Sequence, residues 1–328
     1  MIKNGFVDLQ VNGYKGISFH ASDLTVEQIY RATHELVKAG TVAYCPTLVT
    51  ENINVYEHCL KLFAGALRDK NLARHILGLH LEGPFISSME GARGAHEPKY
   101  TREPSVELMK RFQEWAEGNI VLLTLAPETK DALSLIKYCV KNRIKVSMGH
   151  HFADDDAMAK AVKAGADCCT HLGNGMPNMI NRHQNPLWWQ LACDDLYGTF
   201  ITDGHHLPED FIKVAFRAKT VSRTIVVSDA VHLAGLQPGT YEFVGAKVAL
   251  APSGRISFAD TPYLAGSSAN MLQCMNHLAS LKILTEKELW QVGRDNPLRY
   301  LGKKVLILDK VEGPRVEFKN NQFQCCTA

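Results

Sequence analysis

Val146-Ser-Met-Gly-His150 and Asp167-Cys-Cys-Thr-His171 are two short apolar runs, each closed by a histidine, with room for one helix between them. A buried strand that stops at such a residue carries its imidazole at its carboxyl end. If the two runs are neighbours in one parallel sheet, both imidazoles open into the same mouth. Leu79-His-Leu-Glu82-Gly-Pro84 offers a carboxylate where another apolar run stops. Two neutral imidazoles and a carboxylate suit a borderline-soft divalent cation such as zinc, held at about 2.0–2.1 Å from nitrogen.

Working outward, short apolar runs alternate with amphipathic segments, the pattern of βα units around a parallel sheet. Eight strands are expected at Phe6–Val11, Thr41–Pro46, Ile76–Leu81, Ile120–Ala126, Ile144–Met148, Asp167–Thr170, Tyr197–Ile201 and Thr224–Val227. Helices are expected between them over Thr25–Ala39, Val55–Arg68, Ser105–Glu117, Asp131–Asn142, Asp154–Ala164 and Pro208–Lys219. Thr25 and Gln28 have the spacing of a capping box, and Gly40 stands as the stop. Eight such units favour an α/β fold of the (β/α)8 TIM-barrel type over an open doubly wound sheet. After the eighth strand, Gly239–Leu250 and Gly254–Phe258 flank Pro252-Ser-Gly and read as a hairpin. Helices follow around Ser268–Leu281 and Glu286–Asp295, then short strands at Lys304–Asp309 and Arg315–Phe318. The barrel is expected over residues 5–297 with the hairpin inserted at about 239–258, and C-terminal strands of a reduced accessory β-sandwich over 303–324.

Length and charge narrow the function. The 328 residues, 46% of them apolar, can bury a large core, and 36 Lys plus Arg against 34 Asp plus Glu leave a formal charge of +2. No basic run tracks a phosphate backbone, so nucleic acid is not an expected partner. The start lacks a secretory pattern and no apolar stretch nears the roughly 18 residues of a membrane helix, so a cytoplasmic protein with no membrane contact is expected. The nine cysteines, an odd number with two adjacent pairs, fit neither a disulfide framework nor a spaced zinc motif, and read as small buried residues.

In a barrel of this kind the site is built at the carboxyl ends of the strands. Those ends carry Asp8, Gln10 and Asn12 on strand one, Glu82 on strand three, His150 on strand five and His171 on strand six. Asp203-Gly-His205-His206 ends strand seven and Ser228-Asp229 ends strand eight. Singly, each has an ordinary structural reading: a satisfied core histidine, or an aspartate capping the next helix. Together, an acid and two histidines with a separate aspartate describe a metal site with a free base beside it.

Gly5-Phe-Val-Asp-Leu-Gln-Val-Asn-Gly13, His80-Leu-Glu-Gly-Pro-Phe85, Gly94-Ala-His96, Val146-Ser-Met-Gly-His150, Thr170-His-Leu-Gly-Asn-Gly-Met-Pro177 and Val227-Ser-Asp-Ala230 occur in one order, and the similarity runs on to Asn296-Pro-Leu-Arg-Tyr-Leu-Gly302. The series resembles the N-acetylglucosamine-6-phosphate deacetylase family of the amidohydrolase superfamily. The resemblance implies that Glu82, His150 and His171 bind one divalent ion, zinc or iron. Gln10 and Asn12 stand where the superfamily has His-x-His, a vestigial second-metal position. It implies that Asp229 is the general base and then acid, that His96 polarises the acetyl carbonyl, and that His206 contacts the sugar. It further implies that Asn174 and Gly175 hold the phosphate with Arg182 supplied across a homodimer. The substrate is then a small amino-sugar phosphate.

The chain also departs from the family. Asn181-Arg-His-Gln-Asn-Pro186 replaces the usual Gly-Arg-Glu-Pro-Gly, which keeps open a different, unphosphorylated N-acyl amino sugar as substrate. Arg93, in the lengthened loop Ser87–His96, reads as a solvated charge, with a second anion contact as the alternative. His151 replaces a serine beside His150, and His205 reads as the spectator of its doublet. Only four residues precede Gly5, where the family has a longer β-segment. A non-catalytic sugar-binding relative is the other class left open. A Schiff-base enzyme is disfavoured because no lysine ends a strand.

Overall fold

The computed structural model describes residues 2–326 apart from 244–245, 259–263, 306–307, 309–310 and 312. Eight parallel strands run in chain order around the sheet: β1 Phe6–Val11, β2 Thr41–Val49, β3 Leu79–Glu82, β4 Ile120–Leu125, β5 Lys145–Met148, β6 Cys168–Cys169, β7 Tyr197–Ile201 and β8 Thr224–Val227. Strands buried on both faces need no alternation, and β1 is buried at every position.

The seam between β1 and β8 closes the ring. Ala230 carbonyl accepts from the backbone N–H of Asn12 at 2.7 Å, and the carboxylate of Asp8 accepts from both the backbone and the hydroxyl of Ser228. The strand ends Glu82, His150, His171 and Asp229 therefore meet at one mouth, as a (β/α)8 barrel requires. Beneath that mouth lies a polar layer. His80 binds Leu9 carbonyl at 3.1 Å and Thr124 hydroxyl at 2.8 Å, and Thr124, Thr170 and Ser147 continue the chain of hydroxyls. Burial keeps His80 neutral by pushing it down to about 4.

The helices begin where local chemistry dictates. Thr25 and Gln28 form the expected reciprocal capping box at the start of α1, Val26–Lys38, and Gly40 follows with φ +96°. Three short α-helices lie outside the expected set, Lys70–Ala73, Asn296–Tyr300 and a third before β7. Between β6 and β7, Pro186–Ala192 is helical, with Asn185 as N-cap and Pro186 in the first turn. Beyond the barrel, the Gly239–Leu250 arm is not one strand but two, Gly239–Phe243 and Ala246–Leu250, paired with each other, and Ile256–Phe258 adds the third strand across the Pro252 turn. A second three-stranded antiparallel sheet joins Ile2–Asn4 to Arg315–Lys319 and Gln322–Cys325. It docks through Phe323, whose ring centroid lies 5.0 Å from those of both Phe6 and Trp290. The strand expected at Lys304–Asp309 lies partly outside the described residues. Among the described residues no helix is long and apolar enough to cross a membrane.

Asp8 is buried, and burial pushes its carboxyl from 3.8 up to about 7 although its hydrogen bonds to Ser228 and Gln10 oppose this. The folded chain thus holds a proton that the unfolded chain has lost between roughly pH 4 and pH 7, so this group's contribution to stability declines as pH rises through that window. Asp8→Asn mimics the neutral acid and is expected to gain on the parent chain between about pH 5 and pH 8 in urea melts. A difference independent of pH would show that Asp8 does not titrate there.

Candidate active site

The three strand-end residues His150, His171 and Asp229 have positive φ, at +52°, +32° and +51°. This left-handed kink turns each side chain back over the barrel mouth instead of along the strand. Glu82, which ends β3, completes the centre. Its Oε1 lies 3.2 Å from His150 Nε2 and 2.9 Å from His171 Nε2, and the two Nε2 atoms are 3.0 Å apart. All three residues are buried. Burial would push the Glu82 carboxyl up, but the two imidazoles hold it well below the usual carboxylate range.

The hydrogen bonds around these atoms decide what they can bind. His150 Nδ1 lies 3.0 Å from Ala92 carbonyl, so Nδ1 carries the proton and Nε2 presents a bare lone pair to Glu82. A carboxylate oxygen and two imidazole nitrogens converging among buried residues suit a cation between them. Four-coordinate ligands at bond lengths near 2.0–2.1 Å are roughly 3.3 Å apart, close to the separations found here. Glu82, His150 and His171 could therefore hold a metal ion.

Asp229 faces this centre. Its Oδ1 accepts from Gln10 Nε2 at 3.0 Å and Asn12 Nδ2 at 2.6 Å, and Gln10 Nε2 also reaches Glu82 Oε1 at 2.8 Å. Gln10 is thus the strut between the acid of the triad and the free aspartate, and Asn12 braces the aspartate alone. Burial, then the charge of Glu82, push the Asp229 carboxyl up to about 8. His96 Nε2 stands 3.2 Å from His150 Nε2, while its Nδ1 accepts from the Thr50 backbone N–H at 3.3 Å. Nε2 therefore bears the hydrogen. Burial and the neighbouring His150 keep the ring neutral, well below the ordinary histidine value.

These groups open into a cavity of about 1030 Å³. Asn174, Gly175 and His206 also line it, and His206 Nδ1 is fixed by Asp203 Oδ2 at 2.8 Å. Although burial works the other way, His206 holds Asp203 below the usual carboxylate range. His151 turns away from the cavity toward Gln190, and His205 Nε2 reaches Ser253 carbonyl at 2.9 Å in the accessory sheet. Arg182 is exposed and lies outside the cavity lining. The expectation for Arg93 needs correction: it is half-buried on the cavity wall, because its Nη1 donates to the carbonyl of His96. Sequence reasoning missed His20, whose Nδ1 is buried without a partner beside the site, and Phe243 and Phe258 of the accessory sheet. None of these ends a barrel strand, the signal that found the others.

Comparison with known proteins gives first the class. The chain is an amidohydrolase-type enzyme, a hydrolase of carbon–nitrogen bonds. It is 31% identical over 301 residues to the N-acetylglucosamine-6-phosphate deacetylase of Bacillus subtilis (strain 168), covering 91% of this chain and 74% of that protein. It is 29% identical over 315 residues to the N-acetylgalactosamine-6-phosphate deacetylase of Shewanella sp. (strain ANA-3), covering 96% and 77%. The crystal structure of the N-acetyl-D-glucosamine-6-phosphate deacetylase of Mycobacterium smegmatis matches with a TM-score of 0.87 at 26% identity, over 98% of this chain and 84% of that one. A mutant of that enzyme, solved in complex with N-acetyl-D-glucosamine-6-phosphate, matches at 0.86 and 25% identity over 98% and 83%. No protein-family model matches the chain. The chain belongs to the N-acetylglucosamine-6-phosphate deacetylase family.

Gly175 has φ +62°, and a methyl there would sit 3.0 Å from His150 Nδ1 and 3.2 Å from His171 Cε1. Gly175→Ala is accordingly expected to displace both imidazoles and weaken metal binding by about 10–100-fold, the scale of outer-shell substitutions. Chelator competition on the folded protein measures this; an unchanged affinity would mean that the rings do not depend on the glycine.

Proposed function

We propose that this chain removes the acetyl group of N-acetylglucosamine 6-phosphate, giving acetate and glucosamine 6-phosphate, with one zinc ion held by Glu82, His150 and His171. The observation that carries the reading is the convergence of Glu82 Oε1 and the Nε2 atoms of His150 and His171 beside a proton donor, His96 Nε2–H, and the carboxyl group of Asp229. An amide hydrolase needs all three kinds of group. Bound at the triad, the cation supplies Lewis acidity to the acetyl carbonyl and to the attacking water.

The chain's own residues do the rest. Gln10 and Asn12 both bind Oδ1 of Asp229, leaving Oδ2 to take a proton from the water and return it to the departing nitrogen. His96, neutral and with its hydrogen on Nε2, donates to the carbonyl oxygen as negative charge develops there. With Nδ1 of His206 donating to Asp203, its Nε2 is an acceptor for a sugar hydroxyl. Asn174 and Gly175 stand on the same wall for the phosphate. The loop outside the cavity carries Arg182 between Met179, 89% exposed, and Trp188, 50% exposed. Such apolar exposure supports a homodimer in which Arg182 serves the partner's cavity. The absence of Arg182 from its own cavity also favours a second reading, turnover of an unphosphorylated N-acyl sugar.

Free-amine release from N-acetylglucosamine 6-phosphate by zinc-loaded protein is expected, with Asp229→Asn lowering kcat by about 10²–10⁴-fold. Release from the plain sugar alone would favour the second reading, and release from neither by metal-loaded protein would refute both.

A further inference from the structure

Arg93 is a cation on the cavity wall with half of its donors idle. Its Nη1 donates to the His96 carbonyl, but Nε is buried with no hydrogen-bond partner, and among the described residues no carboxylate pairs with it. A guanidinium offers its donors along planar edges that match an oxyanion two at a time. With Nη1 engaged and Nε buried, Nη2 is the donor that remains for a ligand in the cavity.

The position of the loop sets that guanidinium against the wall that carries Asn174. Gly91 is pressed so closely on the segment after Asn174 that a methyl on it would lie 2.7 Å from Pro177 Cα. Gly94 and Gly175 flank the same ring, since methyls on them would lie 3.1 and 3.0 Å from atoms of His150. Arg93 is therefore carried on a loop seated against Asn174–Pro177. The other Lys or Arg side chain on the wall, among the described residues, is the exposed Lys247.

We propose that Arg93 is a specificity residue whose guanidinium receives the phosphate monoester of the substrate within one chain, opposite Asn174. This rests on the amino-sugar phosphate reading above. It gives the enzyme a cation for the phosphate that does not depend on a second copy.

The test is the ratio of kcat/KM for N-acetylglucosamine 6-phosphate to that for N-acetylglucosamine, in the parent chain, Arg93→Gln and Arg93→Lys. Glutamine keeps an N–H for the His96 carbonyl and removes the charge. The ratio is expected to fall about tenfold or more in Arg93→Gln, carried by KM, with Arg93→Lys between. A ratio unchanged within about twofold, even if both substrates slow together, would overturn the assignment, because a merely structural role through His96 affects both sugars alike. If the parent turns over neither sugar, the proposed function fails separately, and millimolar inorganic phosphate then decides. A phosphate-dependent rise in Tm that Arg93→Gln loses supports the site; no rise, or one that the variant keeps, overturns it.

Discussion

Glu82 Oε1 and the Nε2 atoms of His150 and His171 lie within 3.2 Å of one another, on three buried residues. Left alone, such a cluster is unfavourable, since a buried charge is tolerated only when paired. Much of the surrounding structure can be understood as holding it in place. Ala92 fixes the tautomer of one imidazole, Gln10 binds the carboxylate from below, and two glycines leave room for the rings. The closed sheet is what brings strands three, five, six and eight to one point, and the Asp8–Ser228 bonds at the seam keep it closed.

The same economy applies to the amides on β1. Gln10 and Asn12, at the carboxyl end of that strand, donate to carboxylates, and Gln10 links the triad to Asp229 with a neutral group. Amide donors hold the orientation of Asp229 without placing a charge beside it.

Much of this was legible in the sequence because strand ends are marked twice, by the stop of an apolar run and by a residue too polar to be buried idly. Hence Glu82, His150, His171 and Asp229 could be picked out, and β1, β7 and β8 run over the residues expected of them. What was not legible came from elements without periodicity. The helix Pro186–Ala192 is too short to show a 3.6-residue pattern, and only Asn185-Pro186 marked its start. The Gly239–Leu250 stretch hides its own turn, so three strands read as two. Arg93 reads as a loop charge because nothing local reports that His96 carbonyl will capture it. His205 and His206 are adjacent in sequence yet serve the accessory sheet and the cavity respectively, a division only tertiary structure makes.

The left-handed backbone at His150, His171 and Asp229 has a further meaning. Non-glycine residues in that region cost about 1–3 kcal/mol each. Glycine would relieve the strain at each position while erasing the side chain that matters. The scaffold is thus less stable than its own topology allows, and the deficit is concentrated in the residues assigned to the chemistry. Drift toward a sturdier barrel would strip these side chains from the mouth, so among variants of this fold thermal robustness and an intact cluster should trade against each other at these three positions first.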